Sequence, residues 1–191
     1  MEDAACSIGA EYKGAKVGNL ADISVFSLHP RKFITTGEGG LVTTNNSEWA
    51  DWMQSYKHFG MGVQDSRLST IFERIGTNYK LSNIQAAVGV AQMRHIDELL
   101  QKRREIAGRY HSELRGVPGI SIPETTEGGA HSYQSCYVLA QERNRVMDQL
   151  KEASRPRSAP TPCTSIMPLT TIRIAESMTK WAGASMPSTT A

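Results

Sequence analysis

The chain has 191 residues, with 21 Lys plus Arg against 19 Asp plus Glu and a formal net charge of +2. That near-balance argues against an electrostatic nucleic-acid binder or a polybasic membrane surface, and neither an apolar run of the roughly 18 residues needed for a membrane span nor a signal peptide is evident. The three cysteines, Cys6, Cys136 and Cys163, are odd in number, far apart and form no CxxC pair, which excludes a disulfide framework or a zinc site and points to reduced thiols in a cytoplasmic protein with no bound metal.

Glu2-Asp3-Ala4-Ala5 opens the chain with no lead-in strand, as if it began inside a domain. Ile23-Ser24-Val25-Phe26-Ser27 and Leu41-Val42-Thr43-Thr44 are β-rich runs and read as strands. Between them, Thr35-Thr36-Gly37-Glu38-Gly39-Gly40 carries three glycines that permit a tight turn. Ser47 to about Tyr56 reads as a helix. Phe59 to Asn78 has no firm periodicity, and at roughly 20 residues it is long for a passive connection. Ser82 and Gln85 stand in capping-box spacing, and Ile84, Ala87, Val88 and Ala91 follow on one helical face. A second helix is expected over Ile96 to Leu114, with the charge run Lys102-Arg103-Arg104-Glu105 on a solvated face. Gly116 and Pro118 end it. Ile120-Ser121-Ile122 fits an edge strand, Tyr133 to Leu139 another strand, and Glu142 to Ala153 an amphipathic helix. That order suggests an α/β domain feeding a smaller α+β one.

The chemistry concentrates in Phe26-Ser27-Leu28-His29-Pro30-Arg31-Lys32-Phe33-Ile34-Thr35-Thr36-Gly37-Glu38-Gly39-Gly40. It places a lysine in a loop after a strand, just before a glycine turn. In a partly desolvated cleft such an amine loses its charge more easily and forms Schiff bases. Ser27 can offer a hydroxyl to a phosphate, and Asp3 a carboxylate from a neighbouring strand end. Taken alone these residues say little, because most lysines lie on the surface.

The segment resembles the lysine motif of the DegT/DnrJ/EryC1/StrS family of pyridoxal-phosphate-dependent sugar aminotransferases. Glu2-Asp3-Ala4-Ala5-Cys6-Ser7-Ile8-Gly9-Ala10 is similar to the family's acidic motif. Gly76-Thr77-Asn78-Tyr79-Lys80-Leu81-Ser82-Asn83-Ile84-Gln85-Ala86-Ala87 resembles a third motif, and Lys102 to Ala107 the arginine-rich helix after it. The resemblance covers about residues 2–153. It implies an α/β, aspartate-aminotransferase-like fold of type I. Residues 1–95 would form the C-terminal part of a truncated cofactor-binding large domain, 96–153 a long helix and the start of a small α+β C-terminal domain, and 154–191 a non-native or disordered tail.

By the same resemblance, Lys32 matches the lysine that forms the aldimine with pyridoxal phosphate and shuttles the proton. Asp3 matches the carboxylate that pairs with the pyridine nitrogen. Ser27 matches a hydroxyl that binds the cofactor phosphate, and Asn78 an asparagine that reaches the phosphate of the neighbouring subunit, so a homodimer with a shared site is implied. Cys6 stands where the family has Gln or His near the cofactor's ring oxygen. His29 and His58 are expected to be structural or close to substrate rather than catalytic. Because a lysine and not a histidine occupies position 32, amino transfer is favoured over sugar dehydration. The implied reaction moves an amino group, from glutamate as donor, to a nucleotide-linked keto sugar. The rival readings are an inactive fragment and a regulatory member that binds the cofactor without turning over. Absent front segments would leave strand edges uncovered and make the chain poorly soluble or partner-dependent.

Five of the eight prolines, and eighteen Ser, Thr or Pro in all, fall in the 38 residues from Ser154 to Ala191. A set of codons for Ala153 to Thr164, preceded by G and read in the shifted frame, encodes Gly-Ile-Glu-Ala-Ala-Ile-Gly-Thr-Tyr-Ala-Leu-His, the kind of segment the family has there. Residues from about Ser154 onward are therefore expected to be frame-shifted translation, the alternative being a disordered Pro/Ser/Thr tail.

Overall fold

The computed structural model describes residues 1–62 and 70–153 and the backbone of the strand Ile172–Glu176. The expectations for the remainder of 154–191 fall outside the described residues. The chain forms two units: residues 1–100 with 126–132, and residues 101–125 with 133–191.

The first unit is built on a three-stranded sheet in the order β1 (Glu2–Asp3), β4 (Ile23–Ser27), β5 (Gly40–Thr44). β1 runs parallel to β4, with Glu2 opposite Ser24 and Asp3 opposite Val25, and β5 is antiparallel to β4. The Glu2-Asp3 start is thus a strand, although nothing in its own sequence marks it as one. Two residues pair only because β4 offers them a partner, and Ala4 N–H extends the pairing with a 2.9 Å bond to Val25 O. Side chains alternate across the sheet. On one face Ser24 donates to Glu2 Oε2 at 2.6 Å, and Ser24 and Phe26 are buried. On the other face Asp3, Val25 and Val42 are exposed.

A second small sheet joins β2 (Glu11–Tyr12), β3 (Ala15–Lys16) and β7 (Gly129–Ala130). Helix α1 (Ser47–Lys57) packs near β5 and is capped by Asn46, whose side chain accepts from Trp49 N–H. After α1 the chain forms a narrow ribbon, with bridges His58–Asn78 and Met61–Phe72. Helix α2 (Asn83–Met93) starts on the expected capping box, Ser82 and Gln85 each bonding the other's backbone. Its apolar stripe is not its inner face: Ile84 is 81% exposed and Val88 48%, while Gln85, Ala86, Gly89 and Gln92 are less exposed.

Helix α3 (Ile96–Leu114) spans the expected residues. Its charge run is not wholly solvated: Arg103 turns inward and donates to Tyr133 O at 2.8 Å. Burial lowers the guanidinium's pKa from its ordinary value. In the second unit β6 (Ile120–Ser121), β8 (Cys136–Ala140) and β9 (Ile172–Glu176) form a sheet in the order β6-β8-β9. β8 alternates strictly, with Cys136, Val138 and Ala140 buried and Tyr137 exposed. β9 pairs parallel to β8, from Cys136–Ile172 to Ala140–Glu176, so five residues beyond Ala153 join this sheet. Helix α4 (Arg143–Ala153) follows β8.

Candidate active site

Parallel strands deliver their loops to one edge, and ligands of α/β sheets collect outside the carboxyl ends of those strands. In the first unit β1 and β4 are the parallel pair. Asp3 ends β1 and Ser27 ends β4. The register places Asp3 on the same sheet face as Val25, and Ser27, two residues further on, shares it. Cys6 lies in the turn after β1, and Lys32 in the loop after β4. Lys32 Nζ donates to Cys6 Sγ at 2.9 Å, so the two loops meet at these side chains. The fold thereby gathers Asp3, Cys6, Ser27 and Lys32 at one end of a two-strand unit.

Asp3, Ser27 and Lys32 are each held by local bonds that leave chemistry to spare. Asp3 Oδ1 accepts from Ala5 N–H at 3.1 Å, which sets the carboxylate at the mouth of the turn. Ser27 Oγ accepts from His29 N–H at 3.3 Å, so its own O–H remains a donor. Lys32 is half-buried, and its N–H bonds to His29 O at 2.9 Å in a tight turn. His29 Nδ1 accepts from Arg31 N–H at 3.1 Å, and Nε2 lies 4.0 Å from Glu38. Both ring nitrogens therefore brace the loop. His58 caps α1, its N–H bonding to Ser55 O.

The lysine loop is closed at its base by Leu28 N–H to Gly39 O at 2.9 Å and by Thr36 N–H to Leu28 O at 3.1 Å. Leu28 is 3% and Ile34 1% exposed, so two apolar anchors pin it to the core on either side of Lys32. Gly39 sits at φ +151°, and a Cβ there would press on Leu81 and Thr36 at 2.9 Å, which explains the glycine turn in structural terms.

Asn78 is carried elsewhere, on the ribbon, in its bridge to His58. The ribbon needs Gly60 at φ +80°, where a Cβ would overlap the carbonyl of Arg74. Two residues that hold the lysine loop escaped the reading of the sequence: Gln85 and Gln92, whose side-chain amides bond the loop's backbone. The capping box drew attention to Gln85 for its helix end only. Nothing marked Gln92, because a glutamine on a helix is ordinarily a surface residue.

The residues present suit pyridoxal phosphate by their chemistry: an amine, a carboxylate for a ring nitrogen, and a hydroxyl donor for a phosphate, all at one end of the β1–β4 pair. Among the described residues no group of three or more His, Cys, Asp or Glu could hold a metal ion, and no helix is long and apolar enough to cross a membrane.

The family model described as the DegT/DnrJ/EryC1/StrS aminotransferase family matches residues 1–191, a span that runs past the motif resemblance ending near Ala153. The chain is 37% identical over 165 residues to GDP-perosamine synthase of Caulobacter vibrioides, covering 82% of this chain and 44% of that protein. It is 42% identical over 136 residues to a UDP-4-amino-4,6-dideoxy-N-acetyl-beta-L-altrosamine transaminase of Campylobacter jejuni, covering 70% of this chain and 36% of that one. Among solved structures, DesV from S. venezuelae in complex with a ketimine intermediate superposes with a TM-score of 0.71 at 30% identity, over 78% of this chain and 39% of that one. The chain thus spans under half the length of the curated relatives it matches.

Proposed function

The chain belongs to the DegT/DnrJ/EryC1/StrS aminotransferase family and has the α/β architecture of part of a fold-type-I enzyme; from that premise we propose that it is part of a pyridoxal-phosphate-dependent aminotransferase acting on a nucleotide-linked keto sugar, with glutamate as amino donor. The observation that carries this reading is the meeting of Lys32 and Cys6 at 2.9 Å beyond the ends of β1 and β4, with Asp3 and Ser27 ending those same strands.

When bound, the cofactor supplies an electron sink for the pair released as a C–H bond next to nitrogen breaks. The protein's part is positioning and proton transfer. Lys32 Nζ would be the nucleophile that holds the cofactor and the base that would take up and return the proton. Asp3, an acceptor when ionised, would hold a proton on the ring nitrogen and so keep the ring electron-poor. Ser27 would offer its O–H to a phosphate oxygen, its Oγ being held by His29 N–H. Cys6 lies against the lysine, where the thiol is a weak partner for a ring oxygen. Asn78 would serve the phosphate site of a second copy from the ribbon, which makes the working unit a homodimer. With a nucleotide sugar as substrate, the cytoplasm is the fitting compartment. The GDP and UDP sugars in the names of the relatives leave the nucleotide open.

The test is direct. Pyridoxal phosphate is added to the 191-residue chain, the absorbance change is recorded, and borohydride-trapped cofactor is mapped by peptide mass. A new band with trapping at Lys32, both lost in Lys32→Ala, supports the proposal. A native chain that traps cofactor at other lysines but not at Lys32 refutes the assigned site. Trapping at Lys32 without amino transfer from glutamate would favour a binding-only protein.

A further inference from the structure

The hydrophobic stripe of α2 points away from the unit's interior, and its polar stripe points in. Gln85 and Gln92 are seven residues apart, almost two full turns, and so lie on one face. Gly89 lies between them on that face, where a Cβ would stand 3.1 Å from Thr36 Cγ2. The small residue lets the helix approach the lysine loop closely enough for side-chain amides to reach its backbone.

The contacts are specific. Thr35 N–H donates to Gln92 Oε1 at 3.2 Å, and Gln92 Nε2 donates back to Thr35 O at 2.6 Å. One amide thus satisfies both backbone groups of a single residue, as an adjacent strand would. Its second N–H goes to Val88 O at 3.0 Å, which fixes the side chain to its own helix. Gln85 Nε2 donates to Glu38 O at 2.9 Å, and its Oε1 accepts from Ser82 Oγ at 2.9 Å. Thr35 is three residues beyond Lys32. Among the described residues the segment between Lys32 and β5 pairs with no strand, and these amides stand in for one. The loop's charged or titratable side chains are His29, Arg31, Lys32 and Glu38, of which His29 and Glu38 lie 4.0 Å from each other.

We propose that Gln92, assisted by Gln85, is a positioning residue for Lys32: its amide splints the loop so that Nζ is presented at the end of the β1–β4 pair. This rests on the reading of Lys32 given under Proposed function, and it is tested without relying on that reading. Gln92→Met keeps the length of the side chain and removes the amide. Gln92→Glu keeps the shape and can replace both bonds only while its carboxyl is protonated. Ile84→Ala, on the exposed face of the same helix, is the control.

Amide hydrogen exchange is followed in the chain without cofactor, together with the relative labelling of Lys32 by acetic anhydride. In Gln92→Met, Thr35 N–H is expected to exchange about tenfold faster, the loss of roughly one hydrogen bond. Lys32 is expected to lose its protection from the anhydride. In Gln92→Glu, Thr35 is protected at acid pH and loses protection as the carboxyl ionises, because a second anionic oxygen then faces Thr35 O. Ile84→Ala leaves both readouts unchanged. Native-level Thr35 exchange in Gln92→Met would overturn the splint, as would fast exchange there with no change in Lys32 labelling, since the loop would then loosen without moving the amine. A native chain that traps no cofactor at Lys32 defeats the functional reading instead and leaves these two readouts to decide the splint.

Discussion

Lys32 and Cys6 touch, and Cys6 is exposed whereas Cys136 is 1% exposed. Burial pushes the Cys136 thiol above its ordinary value, so the two cysteines should differ sharply towards iodoacetamide. Cys6 is expected to alkylate readily and Cys136 only on unfolding, as peptide mapping would show. The added group at Cys6 would stand against Lys32, so alkylated protein should trap less pyridoxal phosphate, while Cys6→Ser should trap as the native chain does. Equal trapping before and after alkylation would separate Cys6 from the site. The raised Cys136 value also carries a sign. The unfolded chain loses that proton first as pH rises, so the stabilising effect of the protonated thiol is present below the ordinary thiol value and is lost as pH rises through the folded one. The native chain should therefore lose more stability than Cys136→Ala across that alkaline window. Arg103 offers a further residue-scale test. Its bond to Tyr133 O holds a residue at φ 51°, and Arg103→Met should cost about 1–3 kcal/mol in the second unit by thermal melting.

At the scale of elements, the ribbon of residues 58–62 and 70–78 depends on backbones approaching too closely for any side chain. A Cβ on Gly60 would overlap the Arg74 carbonyl, and one on Gly76 would overlap Gly60 N. Gly60→Ala should therefore disrupt the ribbon at a cost above about 3 kcal/mol, with new protease cleavage confined to it. Unchanged cleavage would mean the ribbon can shift to admit a methyl group. Most elements were legible because their signals are local. The β-rich run Ile23–Ser27, the Ser82–Gln85 box and the span Ile96–Leu114 need no distant partner to be read. Asp3 was expected at a strand end, but no pattern in Glu2–Asp3 marks the strand itself, because two residues pair only where β4 offers a partner. The inner face of α2 was misleading for a different reason. Apolar periodicity is expected to mark the buried side, but here backbone groups of a neighbouring loop need amides more than that loop needs hydrocarbon.

At the scale of the molecule, much apolar surface remains open on the first unit. Val25 and Val42 pair across β4 and β5 on the exposed sheet face. Ile71, Phe72, Ile75 and Tyr79 stand out from the ribbon, with Ile75 95% exposed, and Ile84 and Val88 from α2. Groups of this kind are usually covered by another surface. The isolated chain is therefore expected to bind a hydrophobic dye and to sediment as more than a monomer, and Ile75→Lys should reduce both. A monomer that does not bind the dye would mean that these side chains tolerate water as they stand, and would weaken the proposed dimer.

The residues themselves, through local patterns and the spacing of motifs, determined the family, the positions of most helices and strands, and the candidates Asp3, Cys6, Ser27, Lys32 and Asn78. Those features depend on bonds within a few positions along the chain or on residue identity alone. Only tertiary structure decided that Asp3 and Ser27 end neighbouring parallel strands, that Lys32 reaches Cys6, that Arg103 leaves the solvated face of its helix, and that Gln85 and Gln92 hold the lysine loop. Each of these joins groups between 22 and 57 positions apart. At such separations the partner is set by how strands register and how closely a helix can pack, and glycine at position 89 matters as much to that as any polar side chain.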